Sequence, residues 1–435
     1  MKKIIVICAA ALLLSGCSAD SPERAEDPSF TSYNSSTEIS DSLPPGNDSE
    51  PSAFSGIGTE NPGAEITDKD NFDKNISDMT TMEFVRNMGY GINLGNTFES
   101  CGDWISSTDV SAYETAWGSP IITRGTIRGY ADAGFGVLRI PVAWSNVMSS
   151  DGNYTIDPQY IARVREVVGW ALDSGMCAII NIHYDSGWVN VFPENEEENM
   201  KRFKVMWAQI AEAFNDFDER LMFEAQNEEL GWDSIWNRWS GTNGEEKRAS
   251  YGLVNRVNQA FVDVVRGTSG NNSRRHLLIS GYNTDVELTC DELFKMPTDP
   301  AGRLAVSVHY YEPSTLTILE ADADWGKAKT DWGSTEDIAG LERKILMLRT
   351  RFIDNGIAVI VGEYGCFGNN KARDTIERYL IDVSSGMYGF GACPILWDTC
   401  NDEYDRNANA FRRPEFIEKL LAGKKKQNNA SNFSY

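Results

Sequence analysis

Between about residue 75 and residue 425, short apolar runs alternate with longer amphipathic ones. The short runs are YGINLG (90–95), GVLRIP (136–141), CAIINIH (177–183), RLMFEAQ (220–226), HLLISG (276–281), LAVSVHY (304–310), IAVIVGE (357–363) and CPILWD (393–398). Their length and content suit buried strands. YIARVREVVGWALDSG, NMKRFKVMWAQIAEAFNDF and LERKILMLRTRFIDNG carry the apolar spacing of amphipathic helices. Eight strands alternating with helices predict an α/β chain closed as a (β/α)8 TIM barrel. An open doubly wound sheet is the alternative. No glycine-rich phosphate loop supports it, and eight units favour closure.

In a barrel, successive strand side chains alternate between the interior and the helix layer. The more apolar parity should face the helices. Ile92 and Leu94 then face out and Asn93 faces in. Leu138 and Ile140 turn Arg139 in, and Ile180 and Ile182 turn Asn181 and His183 in. Leu221, Phe223 and Ala225 turn Glu224, Gln226 and Glu228 in, and Val306 and Val308 turn Ser307 and His309 in. The seventh strand is apolar on both parities until Glu363. Polar inward residues thus gather at the C-terminal strand ends, where barrel sites are built.

The termini differ from this middle. Lys2 and Lys3 precede an apolar run from Ile4 to Leu14, which is too short to span a membrane and suits an export signal. Leu14-Ser15-Gly16-Cys17 resembles a bacterial lipoprotein box, with Cys17 as the lipidated residue; a plain secretory signal is the alternative. From Ser18 to Asp70, twelve acids stand against Arg24 and Lys69 among Ser, Pro and Gly, so a disordered acidic spacer is expected. The expected organisation is a signal (1–16), a lipoprotein tether (17–74), the barrel (75–424) and a polar tail (425–435). Export, anchoring to a bacterial membrane through the lipid, a surface or outer-membrane location and a monomer follow as expectations.

A net charge of −24 argues against nucleic acid and anionic lipid as partners. The six cysteines beyond Cys17 show no CxxC pair, so no structural zinc is expected; export permits disulfides whose pairing stays open. His183, His309 and a glutamate could ligate a metal, but they lie on separate strands without an HExxH-like cluster. No GxSxG elbow follows a strand. No metal and no cofactor are therefore expected.

Two carboxylates at strand ends and twelve tryptophans suit glycoside hydrolysis. One carboxyl protonates the leaving oxygen while the other attacks or activates water. Trp170 and Trp207 fall on helices. Trp104, Trp144, Trp188, Trp232, Trp236 and Trp239 fall in loops after the first four strands, where flat rings could cover sugar faces.

Here a resemblance becomes specific. From GINLGNT (91–97) to RPEFIEKLL (413–421), the chain resembles glycoside hydrolase family 5, and most its subfamily 4 of endo-β-1,4-glucanases and xyloglucanases. GFGVLRIPVAW, NIHYDSGW, FEAQNEE, VSVHYYEP, VIVGEYG and ILWDT resemble six family motifs in order. The resemblance implies Glu228 as acid/base, Glu363 as nucleophile and retention of configuration, with a β-glucan as substrate. It implies Asn227 on the sugar 2-hydroxyl, Arg139 and Tyr311 on the nucleophile, and His183 and His309 beside the scissile bond. Trp397 would support the sugar on the non-reducing side, and Asn93 and Asn96 are further subsite candidates. Two positions depart from the family: Tyr184 stands where relatives often carry His, and Glu229 where they carry Pro. A glycan-binding lipoprotein without activity, or mannan or xylan specificity on the same barrel, are the rival readings.

Overall fold

The computed structural model describes residues 76–423, apart from 103, 106, 229, 231–233, 242 and 401. The signal, Cys17, the spacer, the tail, Glu229 and Trp232 lie outside the described residues. All eight expected strands form: β1 (Gly91–Asn93), β2 (Val137–Ile140), β3 (Cys177–Asn181), β4 (Leu221–Glu224), β5 (Leu277–Ser280), β6 (Leu304–Tyr310), β7 (Ala358–Tyr364) and β8 (Cys393–Leu396). They pair in parallel in chain order, and β8 returns to β1, so the sheet is a closed barrel. Three outer helices, Pro158–Asp173, Glu196–Ala213 and Thr335–Arg351, match the amphipathic segments read from the sequence. After β5 the chain forms a 3-10 turn, Tyr282–Thr284, and a short helix, Val286–Cys290.

The alternation also holds. Leu138, Ile140, Ile180, Phe223, Val306 and Val308 pack into the layer between sheet and helices. Val137, Ile179, Met222, Leu278, Ile360 and Ile395 form a second, separate cluster inside the barrel. These interior apolar residues stand toward the strand starts. They are closed from below by the helix Thr81–Met88, whose Phe84, Val85 and Met88 join the same cluster. Thr80 and Glu83 cap this helix reciprocally, which satisfies its first backbone donors. Phe84 stacks on His276 at 4.3 Å, and Thr81 Oγ1 lies 3.0 Å from His276 Nδ1. The sequence pattern had not flagged this plug.

After β8 the chain adds a small hairpin, β9 (Tyr404–Asp405) with β10 (Ala410–Phe411), outside the barrel. The six cysteines among the described residues are free thiols, so none of the permitted disulfides forms there.

Candidate active site

The polar ends of the strands meet around one guanidinium. Arg139 is wholly buried, as parity required, and donates four hydrogen bonds. Nε reaches Glu224 Oε2 at 2.8 Å, and Nη1 reaches Asn93 Oδ1 at 3.0 Å and Glu363 Oε1 at 2.8 Å. Nη2 reaches Asn227 Oδ1 at 2.9 Å. Asn93 and Arg139 are register partners on β1 and β2, so their contact follows directly from the pairing. Asn181 and Glu224 are likewise partners on β3 and β4, and Asn181 Nδ2 donates to Glu224 Oε2 at 3.0 Å. Ser307 Oγ donates to the other oxygen at 2.7 Å. Glu224 is thus a fully bonded floor carboxylate, which answers its burial.

Two departures from regular alternation aim the reactive groups. On β7, Ala358 and Ile360 point inward, so unbroken alternation would turn Glu363 out toward the helices. The pairing instead passes from Val308–Val361 to His309–Glu363, leaving Gly362 as an extra residue. The bulge reverses the parity and brings Glu363 inside. A Cβ at Gly362 would sit 3.0 Å from Ser307 Oγ and 3.1 Å from His309 Nε2, so glycine suits the crowding there. On β4 regular pairing stops at Glu224. Asn227, on the outward parity of the sequence reading, meets Arg139 inside the barrel. Glu228 therefore reaches the site from a turn and not from a strand position.

Above the floor, Glu228 Oε1 lies 2.7 Å from His309 Nδ1, and Tyr311 Oη donates to Glu363 Oε2 at 2.9 Å. One ligand atom each from Glu228, His309 and Glu363 lie within 4.8 Å of one another. Such a triangle could hold a metal ion. Against this, Glu363 already receives Arg139 on one oxygen and Tyr311 on the other, and a cation beside Arg139 would be repelled.

Burial pushes the Glu228 carboxyl up to about 7; Arg139 opposes the rise and Glu224 adds to it. Burial also raises Glu363, and a charged Glu228 would add to that rise, while Arg139 and the Tyr311 hydrogen bond limit it. The proton of the pair therefore belongs on Glu228, the member that Arg139 does not touch. Burial holds His309 down at about 4 and His183 well below its ordinary range, so both are neutral at pH 7. Glu228 and His309 Nδ1 then share a hydrogen bond between neutral groups.

The remaining expected residues divide. His183 is buried and lies nearly parallel to Trp397 at 6.1 Å, so the two form one wall. Asn96, half-buried in the loop after β1, has φ 56° and a side-chain oxygen without a protein partner. Arg139 meets the Glu363 carboxylate as the sequence reading expected. Asn93 is corrected as a subsite residue: it is wholly buried, and its Nδ2 is spent on Gly362 O at 3.0 Å and Leu396 O at 3.2 Å. Parity gives direction but not depth, and Asn93 lies a layer too deep. Tyr184 is half-buried in the turn after β3, where a Cβ at Gly187 would lie 3.0 Å from its hydroxyl. Trp144 and Trp188 are core residues, while Trp104 is 63% exposed and Trp239 57% exposed.

A cellulase (glycosyl hydrolase family 5) family model matches residues 100–403. The chain is 37% identical over 368 residues to a xyloglucan-specific endo-β-1,4-glucanase of Bacteroides ovatus, covering 80% of this chain and 71% of that one. It is 30% identical over 357 residues to endoglucanase B of Clostridium cellulovorans, covering 80% and 77%. Among solved structures, a subfamily 4 broad-specificity endoglucanase from an uncultured bovine rumen ciliate aligns with a TM-score of 0.71 at 32% identity, covering 80% of this chain and 99% of that one. The Bacteroides ovatus family 5 xyloglucanase with a bound heptasaccharide aligns with a TM-score of 0.71 at 31% identity, covering 81% and 78%.

Proposed function

This chain belongs to glycoside hydrolase family 5, and from that premise we propose that it is a retaining endo-β-1,4-glucanase acting on xyloglucan or a related plant β-glucan. The chain is a glycoside hydrolase, and its endoglucanase and xyloglucanase relatives support endo-acting cleavage of β-1,4-linked glucans. The observation that carries the mechanism is the asymmetry of the carboxylate pair. The two lie within one sugar's reach, yet Arg139 and Tyr311 bond only Glu363. Close carboxyls leave no room for a water on the far face, which favours a covalent route.

In this reading Glu363 attacks the anomeric carbon as Glu228 passes its proton to the leaving oxygen. The first bond formed is the glycosyl ester to Glu363, and the bond broken is the glycosidic one. Glu228, now ionised, takes a proton from water, which displaces Glu363 and restores the starting state. Asn227, its oxygen held by Arg139, donates through Nδ2 to the sugar 2-hydroxyl. His309 keeps the Glu228 carboxyl oriented, and the His183–Trp397 wall supports the sugar on the non-reducing side. The xyloglucan-specific relative from Bacteroides ovatus supports xyloglucan as the preferred chain.

The experiment is product analysis on xyloglucan, carboxymethylcellulose, lichenan, glucomannan, mannan and xylan, with the anomer of the first product followed by NMR. New β-anomeric ends on a glucan are expected. An α-anomer would overturn retention, and release from mannan or xylan alone would overturn the substrate. We also propose a lipid anchor at Cys17, supported by the lipoprotein-box resemblance. Labelled palmitate should enter the wild type in a bacterial host and not a Cys17→Ser variant; equal labelling of both would refute it.

A further inference from the structure

The hairpin β9–β10 stands outside the barrel and contributes nothing to the carboxylate pair, yet it sends one buried cation back to the seam between β8 and β1. Arg406, which follows β9, is 3% exposed. Its Nη1 donates to Thr97 Oγ1 at 2.8 Å and to Ser119 Oγ at 2.9 Å. Its Nη2 donates to the Asp398 carbonyl at 3.2 Å. That same carbonyl accepts the Gly95 backbone N–H at 3.0 Å, and Thr97 Oγ1 returns a bond to the Gly95 carbonyl at 3.2 Å. Arg406 therefore closes a ring of bonds between the loop after β1 and the loop after β8.

Each loop carries a wall residue at its cleft end, one position from the ring. Asn96 lies between Gly95 and Thr97. Trp397 immediately precedes Asp398. A Cβ at Gly95 would lie 2.8 Å from the Asp398 carbonyl and 3.0 Å from the Trp397 ring, so the β1 loop rests directly against the indole. The Glu99 carboxylate accepts the backbone N–H groups of Asn96 and Thr97, which fixes Asn96 in its left-handed conformation. The Asp398 carboxylate accepts the backbone N–H of Glu403 at 2.8 Å and of Tyr404 at 3.2 Å, which ties the hairpin itself to β8. Arg406 Nε is buried without a partner, so the bonds of Nη1 and Nη2 alone hold the guanidinium, and breaking any of them leaves a further desolvated donor.

We infer that Arg406 is a positioning residue for the glycone side of the cleft, holding Trp397 and Asn96 in place against each other through its bonds to Thr97, Ser119 and the Asp398 carbonyl. It touches neither substrate nor the carboxylate pair. The inference rests on the glucanase reading above and adds a specificity-setting role for the hairpin. Its bonds act on the wall in the free enzyme and in the transition state alike, so its loss weakens ground-state and transition-state binding together.

The test uses the full chain on whichever soluble glucan the wild type turns over fastest. Arg406→Met should raise KM about tenfold with kcat within about threefold, the signature of lost uniform binding. Both limbs of the pH profile should stay in place, since the carboxylates keep their partners. Arg406→Lys, which keeps a donor, should recover most of the KM. Thr97→Val and Ser119→Ala each cut one link with Arg406 intact, and each should raise KM by about threefold. These two decide the matter if Arg406→Met does not fold. Arg412→Ala, on the outer face of the same hairpin, should leave the kinetics unchanged. Folded Arg406→Met, or Thr97→Val with Ser119→Ala, showing the wild-type KM would overturn the inference. So would a loss confined to kcat, or failure of lysine to rescue. A wild type that cleaves no β-glucan would instead overturn the glucanase reading.

Discussion

The barrel interior has two halves built on one parity. Below, Val137, Ile179, Met222, Leu278 and Ile360 meet the plug helix in a dry apolar cluster. Above, two residues further along β2, β3 and β4, Arg139, Asn181 and Glu224 join Ser307 of β6 in a hydrogen-bonded floor in which Arg139 and Glu224 are both wholly inaccessible to water. The two halves are equally buried and are held by different physics. The lower gains from removing apolar surface from water. The upper must repay the desolvation of ions by bonding them completely, and its worth lies in the geometry it fixes. A change below should therefore cost stability and spare kinetics, while a change above should cost both, or chiefly kinetics.

The largest effect expected is at the top. Glu363→Gln removes the proposed nucleophile and should lower kcat on the order of 10⁴-fold, about 5.5 kcal/mol in the barrier. Binding of the polysaccharide, followed by native affinity electrophoresis, should persist. Retention of ordinary turnover would remove Glu363 from the chemistry. Arg139→Met leaves Glu224 and Glu363 buried without their cation, and should cost about 3–5 kcal/mol in urea unfolding together with a large loss of kcat. A kinetically silent Arg139→Met would break the contrast between the halves.

Phe84→Ala is its counterpart below. It should cost about 3–4 kcal/mol of stability while kcat and KM stay at wild-type values. If its kinetics fall with its stability, the two halves are coupled and the comparison fails.

The pH profile sharpens the upper half. Glu228 must carry a proton to act as acid and is raised to about 7. Activity in kcat/KM should be held below that pH and fall as pH rises through it. A basic limb near the ordinary carboxylate value would mean that burial does not set this proton.

The smallest effect concerns His276, the buried histidine under the plug, held down at about 3 by burial. Its folded value lies below the unfolded one of about 6.5, so the unfolded chain binds the extra proton between them. Its contribution is complete above pH 6.5 and is lost as pH falls toward 3. His276→Gln should lose about 2 kcal/mol less than the wild type between pH 6.5 and 4.5 in urea titrations. Parallel losses would place the His276 shift in doubt.

Much of both halves was legible in the sequence because period-two alternation is local and strong. All eight strands and the inward turn of Arg139, His183, Glu224 and His309 followed from it. What escaped was whatever broke the period or added depth. The Gly362 bulge leaves no mark in hydropathy, yet without it Glu363 would face the helices. The end of β4 at Glu224 falls inside an apparently continuous run, so Glu228 comes to the site from a turn and not from the strand parity that the sequence suggests. Asn93 was expected to meet sugar and instead holds the backbone of β7 and β8. Arg406 was missed altogether. The turn-rich NDEYDRNANAF between Asp398 and Arg412 signals a hairpin, but nothing local says that its arginine folds back on Thr97.

The plug also divides labour between the two poles of the barrel. Because the helix Thr81–Met88 seals the strand starts, the described chain enters the barrel at the pole opposite the carboxylate pair. The residues that keep water out of the core are therefore not the ones that face a substrate, and either set can be altered while the other keeps its own partners.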